Sequence, residues 1–420
     1  MKKIQLLAIL SVFLFCFSCK KDPSKNPDTK NSNSNIPNFG NVDLDKVFSK
    51  EDSHLEDKSA IVNFIGAYYQ KIWEQGDLSG GLLVAKGGDI LFEQYRGYGR
   101  EGGQMPIGKD TPLHVASVSK TLTAMAVMKL VEAGKIKLDD HVTKYFKDFP
   151  YPDVTVQTLL NQRSGLPKYE YFITKIKPAP AELSKSFLTN QDILNMMVQY
   201  KPDLARETNT GFMYCNTNYA MLALIVEKVT KMPFPKAMQE IVFKPLKMNH
   251  SYIFQEKDIP TAAQSFYNGK NRLYPLDNLD LIYGDKNVYT TPRDLLNFSK
   301  AMYSKDFLKP ELMQMVFTPY SNEKAGVNNY GLGFRMKMFD NGQKLTYHNG
   351  WWHGTNSVFA HLQNSKVTIV AIGNKYTNKV YTALALSSLF EDFPIQKEKL
   401  SSVMNNEKDS LKTSSEVFGE

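Results

Sequence analysis

The sequence has little cysteine. Its 420 residues contain only Cys16, Cys19 and Cys215. The first two lie in or beside an apolar N-terminal stretch, and removal of that stretch and acylation of Cys19 would leave Cys215 alone. An exported protein with one such thiol has no internal disulfide, so a disulfide-stapled fold is excluded. Hydrophobic residues make up 42% of the chain, enough for a core held together by burial.

The sequence also lacks a membrane-length apolar run and a concentrated basic stripe. The apolar stretch from Ile4 to Phe17 is too short to span a bilayer comfortably. The formal net charge is +8, but the basic residues are not gathered on one segment, and no RNA- or DNA-binding motif occurs. We therefore expect no nucleic-acid partner, and we interpret the charge as solubility and nonspecific surface attraction.

The N-terminus resembles a bacterial lipoprotein signal. Lys2 and Lys3 form a positive segment, an apolar stretch follows, and Ser18 precedes Cys19. This layout predicts cleavage before Cys19 and acylation of that cysteine. The residues before Ser18 depart from the usual lipobox, so an ordinary signal peptide with incidental cysteines is the alternative.

The predicted organisation follows from this signal. Residues 1–18 are a signal peptide of the lipoprotein type, residues 19–50 are a polar tether, and residues 396–420 are a polar tail. The protein is expected to be exported and anchored to a membrane through the lipid on Cys19. The membrane face and the oligomeric state are left open.

Residues 51–395 are predicted to form one folded domain. Short apolar or alternating runs bounded by glycine indicate antiparallel strands within about 55–112 and again within about 327–395. The segment between them, about 113–326, has mostly helical signals. An α+β fold follows, in which an antiparallel sheet built from distant segments is flanked by helices and carries a large, mostly helical inserted region.

Motifs for cofactors and metals are absent or broken. The stretch Gly97–Gly102 fits G-x-G-x-x-G, but two prolines soon follow and prevent the helix that would bind a pyrophosphate. His348, His353 and His361 have neither H-E-x-x-H spacing nor a paired carboxylate. We expect no cofactor and no metal, with structural or solvent-facing roles for His353 and His361.

A Ser-x-x-Lys triplet lies at the head of the apolar, helix-forming stretch 113–134. Ser117 and Lys120 are one helical turn apart and share a face. A serine hydroxyl needs a base within hydrogen-bond reach to become a nucleophile, and desolvation disfavours the ammonium form of a buried lysine. The alternative is a capping serine with a solvated lysine. The same spacing occurs twice more, at Ser18/Lys21 and Ser321/Lys324.

Two further motifs follow in order. Tyr214-Cys215-Asn216 lies in a polar turn directly before an apolar helix, a position from which both outer side chains can point into a cleft. His348-Asn349-Gly350 ends one strand pattern and precedes another. Other candidates lie in loops, in a hairpin turn or beside the late strands: Tyr320/Asn322, Tyr347/Asn349, Tyr376/Asn378, Lys86-Gly87-Gly88 and Lys324-Ala325-Gly326.

With these three motifs in order, the chain resembles the serine β-lactamase-related family, which includes class C β-lactamases, DD-carboxypeptidases and esterases. The resemblance covers about residues 57–392. It implies the antiparallel sheet with flanking helices and a cleft between the sheet and the helical region. Further segments that fit are VTVQTLLNQRSGLP, FKPLKMNHSY and YGLGF.

The resemblance implies a role for each matching residue. Ser117 is the acylated nucleophile, Lys120 is its base, and Tyr214 shuttles protons to the leaving group and from the deacylating water. Asn216 would hold a substrate amide. The strand with His348 and Gly350 would line the cleft, and the backbone N–H groups of Ser117 and Trp351 would form the oxyanion hole.

One departure bears on the substrate. The family's β-lactamases usually carry lysine where this chain has His348, and histidine is mostly uncharged near neutral pH. We expect a serine hydrolase that cleaves an amide or ester bond of a small molecule or peptide, with DD-peptidase-like or esterase-like activity. The alternatives are a penicillin-binding or sensor protein with little turnover, a true β-lactamase, and more remotely a lipid-tethered adhesion protein. Trp351 and Trp352 either stack on substrate or pack on the sheet.

Overall fold

The computed structural model describes residue 37 and residues 39–267 and 272–405. The predicted signal peptide, Cys19 and most of the predicted tether lie outside the described residues. No helix within the described ranges is both long enough and apolar enough to cross a membrane. The strands in these ranges are β1 (Gly80–Lys86), β2 (Asp89–Arg96), β3 (Tyr98–Arg100), β4 (Gln104–Pro106), β5 (Leu113–His114), β6 (Tyr252–Ile253), β7 (Val288–Thr290), β8 (Asn328–Tyr330), β9 (Arg335–Met338), β10 (Lys344–Trp352), β11 (Thr355–Leu362) and β12 (Val367–Gly373).

Helices flank these strands. They are α1 (Lys58–Tyr69), α2 (Ser119–Glu132), α3 (Val156–Leu160), α4 (Tyr169–Lys175), α5 (Asn190–Tyr200), α6 (Asn216–Thr230), α7 (Phe234–Met238), α8 (Pro292–Ala301), α9 (Pro310–Val316) and α10 (Pro394–Asn405). Segments of π-helix extend α1 and α7, at Gln70–Glu74 and Gln239–Phe243. A long 3₁₀ segment covers Asn378–Leu389.

The main sheet joins the two ends of the domain, as predicted. Its order in the described residues is β2-β1-β12-β11-β10-β9-β8, and every neighbouring pair is antiparallel. β1 and β2 come from the first predicted strand segment and the other five from the second. The α+β fold with an antiparallel sheet between helices is therefore confirmed.

Helices cover both faces of the sheet. Successive residues of β1 alternate between two cores: Leu83 and Ala85 belong to the core shared with α2 and α6, whereas Leu82 and Val84 belong to the core shared with α1 and α10. This alternation is the period-two geometry of a strand. All residues of β11 and β12 are buried, because these central strands have helices on both sides.

The predicted helical region contains one departure. β5, β7 and β6 form a small antiparallel sheet within it. The predicted start of the helix at residue 113 is wrong, because Leu113 and His114 pair with Thr290 and Tyr289 of β7. This pairing fixes the chain immediately before Ser117.

The folded domain extends beyond its predicted boundaries at both ends. Val42 and Leu44 are 2% and 3% exposed and belong to the core, so the predicted tether ends before residue 50. The predicted tail from residue 396 is wrong as far as Asn405, because α10 buries Leu400 and Val403 against the α1 side of the sheet. In each case two well-spaced apolar residues in a polar stretch are enough to dock the segment.

Candidate active site

Ser117 lies in a tight turn held from two sides. The turn Ala116–Val118 is 3₁₀ and leads directly into α2. On one side the N–H of Val115 donates to the carbonyl of Val288, at 3.1 Å. On the other side the Ser357 hydroxyl of β11 donates to the Val115 carbonyl, at 2.7 Å. Ser117 is therefore fixed between the small sheet and the main sheet, and it is half-buried rather than enclosed.

The backbone directly before Ser117 is strained. Ala116 has φ of +46°, in the left-handed region that residues with a Cβ rarely occupy. Such a conformation costs on the order of 1–3 kcal/mol and persists where the surrounding structure enforces it. Here the two hydrogen bonds of Val115, to Val288 and to Ser357, hold the turn in this conformation.

Lys120 is fully buried one turn after Ser117. Its Nζ lies 3.0 Å from Ser117 Oγ, 2.7 Å from Asn216 Oδ1 and 2.9 Å from the backbone oxygen of Asp285. The amide and backbone oxygens can only accept, so they use two N–H bonds of the amine. In a neutral amine the remaining lone pair then faces the Ser117 hydroxyl, which is the arrangement a base requires.

Asn216 orients this amine. It is the first residue of α6, and its Nδ2 donates to Glu170 Oε1. The amide is thereby turned so that Oδ1 points at Lys120. Burial raises the pKa of the Glu170 carboxyl above its ordinary value. The sequence predicts that Asn216 holds a substrate amide, but the structure shows both ends of its side chain engaged by protein groups.

Tyr214 reaches the site because its neighbour turns inward. Cys215 is fully buried, its N–H donates to Gln162 Oε1 at 3.0 Å, and its thiol lies 3.3 Å from the Leu166 carbonyl. In the extended Cys215 segment the flanking side chains point the other way. Lys120 Nζ lies over the Tyr214 ring, 4.9 Å from its centre. The predicted serine, lysine, tyrosine and asparagine therefore meet at one place.

His348 lies beneath Tyr214 and not at the cleft surface. The side chain is fully buried, with ring centres 6.2 Å apart for His348 and Tyr214. Nδ1 lies 2.7 Å from the Asn349 carbonyl, so this nitrogen carries the proton and Nε2 accepts from the Tyr330 hydroxyl at 3.2 Å. Burial, with smaller effects of Arg335 and Lys120, holds the pKa of His348 well below its ordinary value. The ring is neutral and supports Tyr214, and the structure does not show it facing substrate.

Gly350 is where β10 crosses the Ser117 turn. A Cβ on this residue would lie 2.2 Å from the Val115 carbonyl oxygen and 2.3 Å from Ser357 Oγ. Only glycine fits this approach without a shift of backbone. The next residue, Trp351, is 40% exposed and follows the crossing directly. Trp352 is anchored instead, because its Nε1 donates to Asp280 Oδ1 at 2.6 Å.

Replacing Gly350 by alanine is expected to lower kcat/KM by roughly a hundredfold. The added methyl must push β10 away from the Ser117 turn, and a displacement near 1 Å in a catalytic constellation costs about that much. Gly108→Ala is the matched control, because nothing lies within 4 Å of its added Cβ and its backbone is not left-handed. Steady-state kinetics and thermal melting of both variants provide the test. Equal kcat/KM for Gly350→Ala and the parent would contradict the idea that activity depends on the close approach of β10 to the Ser117 turn.

The YGLGF segment also packs on the nucleophile helix. A Cβ on Gly333, which has φ of +91°, would lie 2.5 Å from Ala124 Cβ and 3.2 Å from the Lys120 carbonyl oxygen. The segment then leads into β9, whose first residue is Arg335. The Arg335 guanidinium lies over the Tyr214 ring, 4.7 Å from its centre.

Three residues at the site were missed by the sequence analysis. They are Glu170, Asp285 and Arg335. Glu170 follows the matched SGLP segment by three residues and could have been suggested by that proximity. Asp285 acts through its backbone oxygen, which no side-chain pattern reveals. Arg335 lies on β9, outside the three motifs, and its guanidinium lies against the Tyr214 ring.

Comparison with known proteins identifies the family of this chain. The family model described as Beta-lactamase matches residues 65–388. The chain belongs to the beta-lactamase family. The matched range contains both strand segments of the main sheet and the three motifs described above.

The chain is similar to penicillin-binding proteins and to an amidase. It is 27% identical to "Penicillin-binding protein 4*" of Bacillus subtilis (strain 168) over 336 residues, which is 76% of this chain and 73% of the relative. The structure of a penicillin binding protein from Bacillus halodurans is similar, with a TM-score of 0.67, 26% identity, and coverage of 76% of this chain and 99% of that one. D-amino acid amidase from Ochrobactrum anthropi SV3 shares the fold, with a TM-score of 0.63, 20% identity, and coverage of 82% and 99%.

Proposed function

We propose that the protein is a serine hydrolase that cleaves an amide or ester bond through an acyl-enzyme on Ser117. The observation that carries this proposal is the 3.0 Å contact between Ser117 Oγ and Lys120 Nζ, with the other two directions of the amine fixed by Asn216 and Asp285. A surface lysine beside a serine has no such constraint. An orientation of this kind supports proton transfer from serine to lysine.

The proposed reaction has two halves. Ser117 Oγ bonds to the substrate carbonyl carbon while its proton passes to Lys120. The bond from that carbon to the leaving nitrogen or oxygen then breaks, and Tyr214 delivers a proton to the leaving atom. Water attacks the carbonyl carbon of the ester and gives its proton to Tyr214. The bond from that carbon to Ser117 Oγ then breaks, and Lys120 returns its proton to Ser117 as the acid product leaves. The N–H groups of Ser117 and Trp351 are proposed to stabilise the oxyanion, each contributing about a hundred- to a thousandfold in rate.

The substrate is proposed to be a peptide or cell-wall-type amide, or an ester, and not primarily a β-lactam. A neutral, buried His348 supports this choice, because it does not supply the fixed charge that the family's β-lactamases usually place there. Export and attachment to a membrane through Cys19 are proposed alongside it and are compatible with a substrate outside the cytoplasm.

A panel of four substrates tests this function. The protein without residues 1–19 is assayed with a p-nitrophenyl ester, a peptide ending in D-alanyl-D-alanine, a D-amino-acid amide and nitrocefin. We expect turnover of the ester and of at least one D-configured substrate, with slower turnover of nitrocefin. Fastest turnover of nitrocefin would identify a β-lactamase. A stable label from fluorescent penicillin without turnover of any substrate would identify a binding or sensor protein.

A further inference from the structure

A cavity of about 500 Å³ opens beside Tyr214. Its floor includes Tyr347 of β10 and Arg335 of β9, which are paired in register. The lining also includes residues of the loop before β8, among them Glu323 and Lys324, and the first two residues of β8. This volume lies in the range of small-ligand sites. Because Tyr214 is part of the lining, the cavity adjoins the candidate active site.

The cavity is strongly cationic. Its lining contains four basic side chains, Lys168, Arg206, Lys324 and Arg335, against the single carboxylate of Glu323. That carboxylate does not neutralise the lining, because it is paired with Arg163 outside the cavity, at 2.9 and 3.0 Å. Arg206 and Lys324 are exposed at the opening, whereas Arg335 is half-buried. A concave site with one sign of charge attracts ligands of the opposite sign.

The position of the cavity indicates which part of a substrate, the leaving group or the acyl group, would lie in it. Tyr347 lies in it, whereas Trp352 lines a second, smaller cavity of about 160 Å³. Five residues of extended strand separate the two, roughly 16 Å, and Gly350 crosses the Ser117 turn between them. Since Tyr214 is the proposed proton donor to the leaving group, the leaving group lies on the side of the cationic cavity and the acyl group on the other side.

We propose that the cationic cavity binds a leaving group that carries two or more negative charges, as carboxylates or as a phosphate. The proposal rests on the acyl-enzyme function above and specifies its substrate class. One carboxylate would occupy Arg335 beside Tyr214. The lining contains three further cations, so a second anionic group is needed to use them. Guanidinium groups bind both carboxylate and phosphate through paired hydrogen bonds.

Esters of one acyl group with four phenols test the charge requirement. The leaving groups are 5-hydroxyisophthalate with two carboxylates, its uncharged dicarboxamide, and 3-hydroxybenzoate with one carboxylate; an ester of 4-hydroxyphenyl phosphate is the phosphate arm. We expect kcat/KM for the dicarboxylate or the phosphate to exceed that of the dicarboxamide by about tenfold or more at low salt. The advantage should shrink at 0.5 M NaCl, where charge interactions are screened. The better of the two multiply charged substrates indicates carboxylate or phosphate chemistry.

Variants that remove positive charge test whether the cavity lining causes the preference for charged leaving groups. Arg206→Gln with Lys324→Gln should lower the ratio of kcat/KM for the dicarboxylate and phosphate esters to that of the dicarboxamide. The control is Lys135→Gln with Lys228→Gln, which removes two exposed lysines that do not line the cavity. Its ratio should equal that of the parent.

Two results would overturn the proposal while leaving the hydrolase function intact. One is equal kcat/KM for the charged and uncharged esters, with Ser117-dependent turnover of all of them. The other is a full advantage from the single carboxylate of 3-hydroxybenzoate. Failure of the hydrolase function itself has a different signature, because then no ester, charged or uncharged, is turned over in a Ser117-dependent way.

Discussion

Ser117→Ala is expected to abolish turnover, with a loss of roughly 10⁴- to 10⁶-fold in kcat on the best substrate of the panel. Within the described residues, Lys120 Nζ has hydrogen-bond partners on Ser117, Asn216 and Asp285. Of these three groups, the Ser117 side chain supplies the hydroxyl. Any residual rate would come from binding and from the oxyanion donors alone. Covalent labelling by a fluorophosphonate or a fluorescent penicillin should disappear with the hydroxyl.

Ser119→Ala is the matched control for this variant. Ser119 lies two residues further along and is fully buried, and its hydroxyl accepts the N–H of Val288 at 3.0 Å. The same atom is removed from the same turn of chain, at a modest cost in stability of about 1 kcal/mol. Ser119→Ala should keep its label and most of its activity. Labelling of Ser117→Ala at the parent level, or loss of labelling in both variants, would refute the assignment of Ser117 as nucleophile.

Lys120→Met is expected to lower the rate of acylation by roughly 10²- to 10⁴-fold, the usual contribution of a positioned base. The substitution keeps an unbranched side chain of similar volume in a fully buried place, but it removes the proton acceptor of Ser117. It also leaves Asn216 Oδ1 and the Asp285 carbonyl without their donor. Pre-steady-state release of the chromophore from a chromogenic ester measures acylation directly and separates it from deacylation.

Lys129→Met controls for the loss of a buried amine from the same helix. Lys129 is 7% exposed and pairs with Glu132 at 2.5 Å, nine residues beyond the site. Its replacement should lower the melting temperature because Glu132 loses its partner, while acylation stays within about threefold of the parent. A Lys120→Met protein that acylates as fast as Lys129→Met would show that the amine is not the base.

Several parts of the fold follow from short-range patterns. The two glycine-bounded hairpin strands, the apolar runs of β10 to β12 and the apolar run of α2 each lie within a continuous stretch, and each predicted element is present. The errors lie at the edges. Residues 113–114 pair as a strand, and Leu400 and Val403 dock a segment that is otherwise polar. Such docking depends on a partner surface far away in sequence, which local composition does not describe.

At the site, the sequence by itself determined the pair that a single helical turn can bring together. Ser117 and Lys120 share a face wherever this segment is helical, because residues three apart are neighbours on a helix surface. The ordered motifs around Tyr214, Asn216 and Gly350 indicated which segments meet there, through their resemblance to a known family.

Only the tertiary structure decided what those segments do for one another. Asn216 reaches Lys120 across 96 residues and Asp285 across 165. Helix packing sets such contacts, and no spacing encodes them. The same packing buries His348 as a neutral ring and brings Arg335 from another strand to the face of Tyr214. Burial and the distance between charges decide where positive charge lies in this cleft, and both are properties of the folded chain.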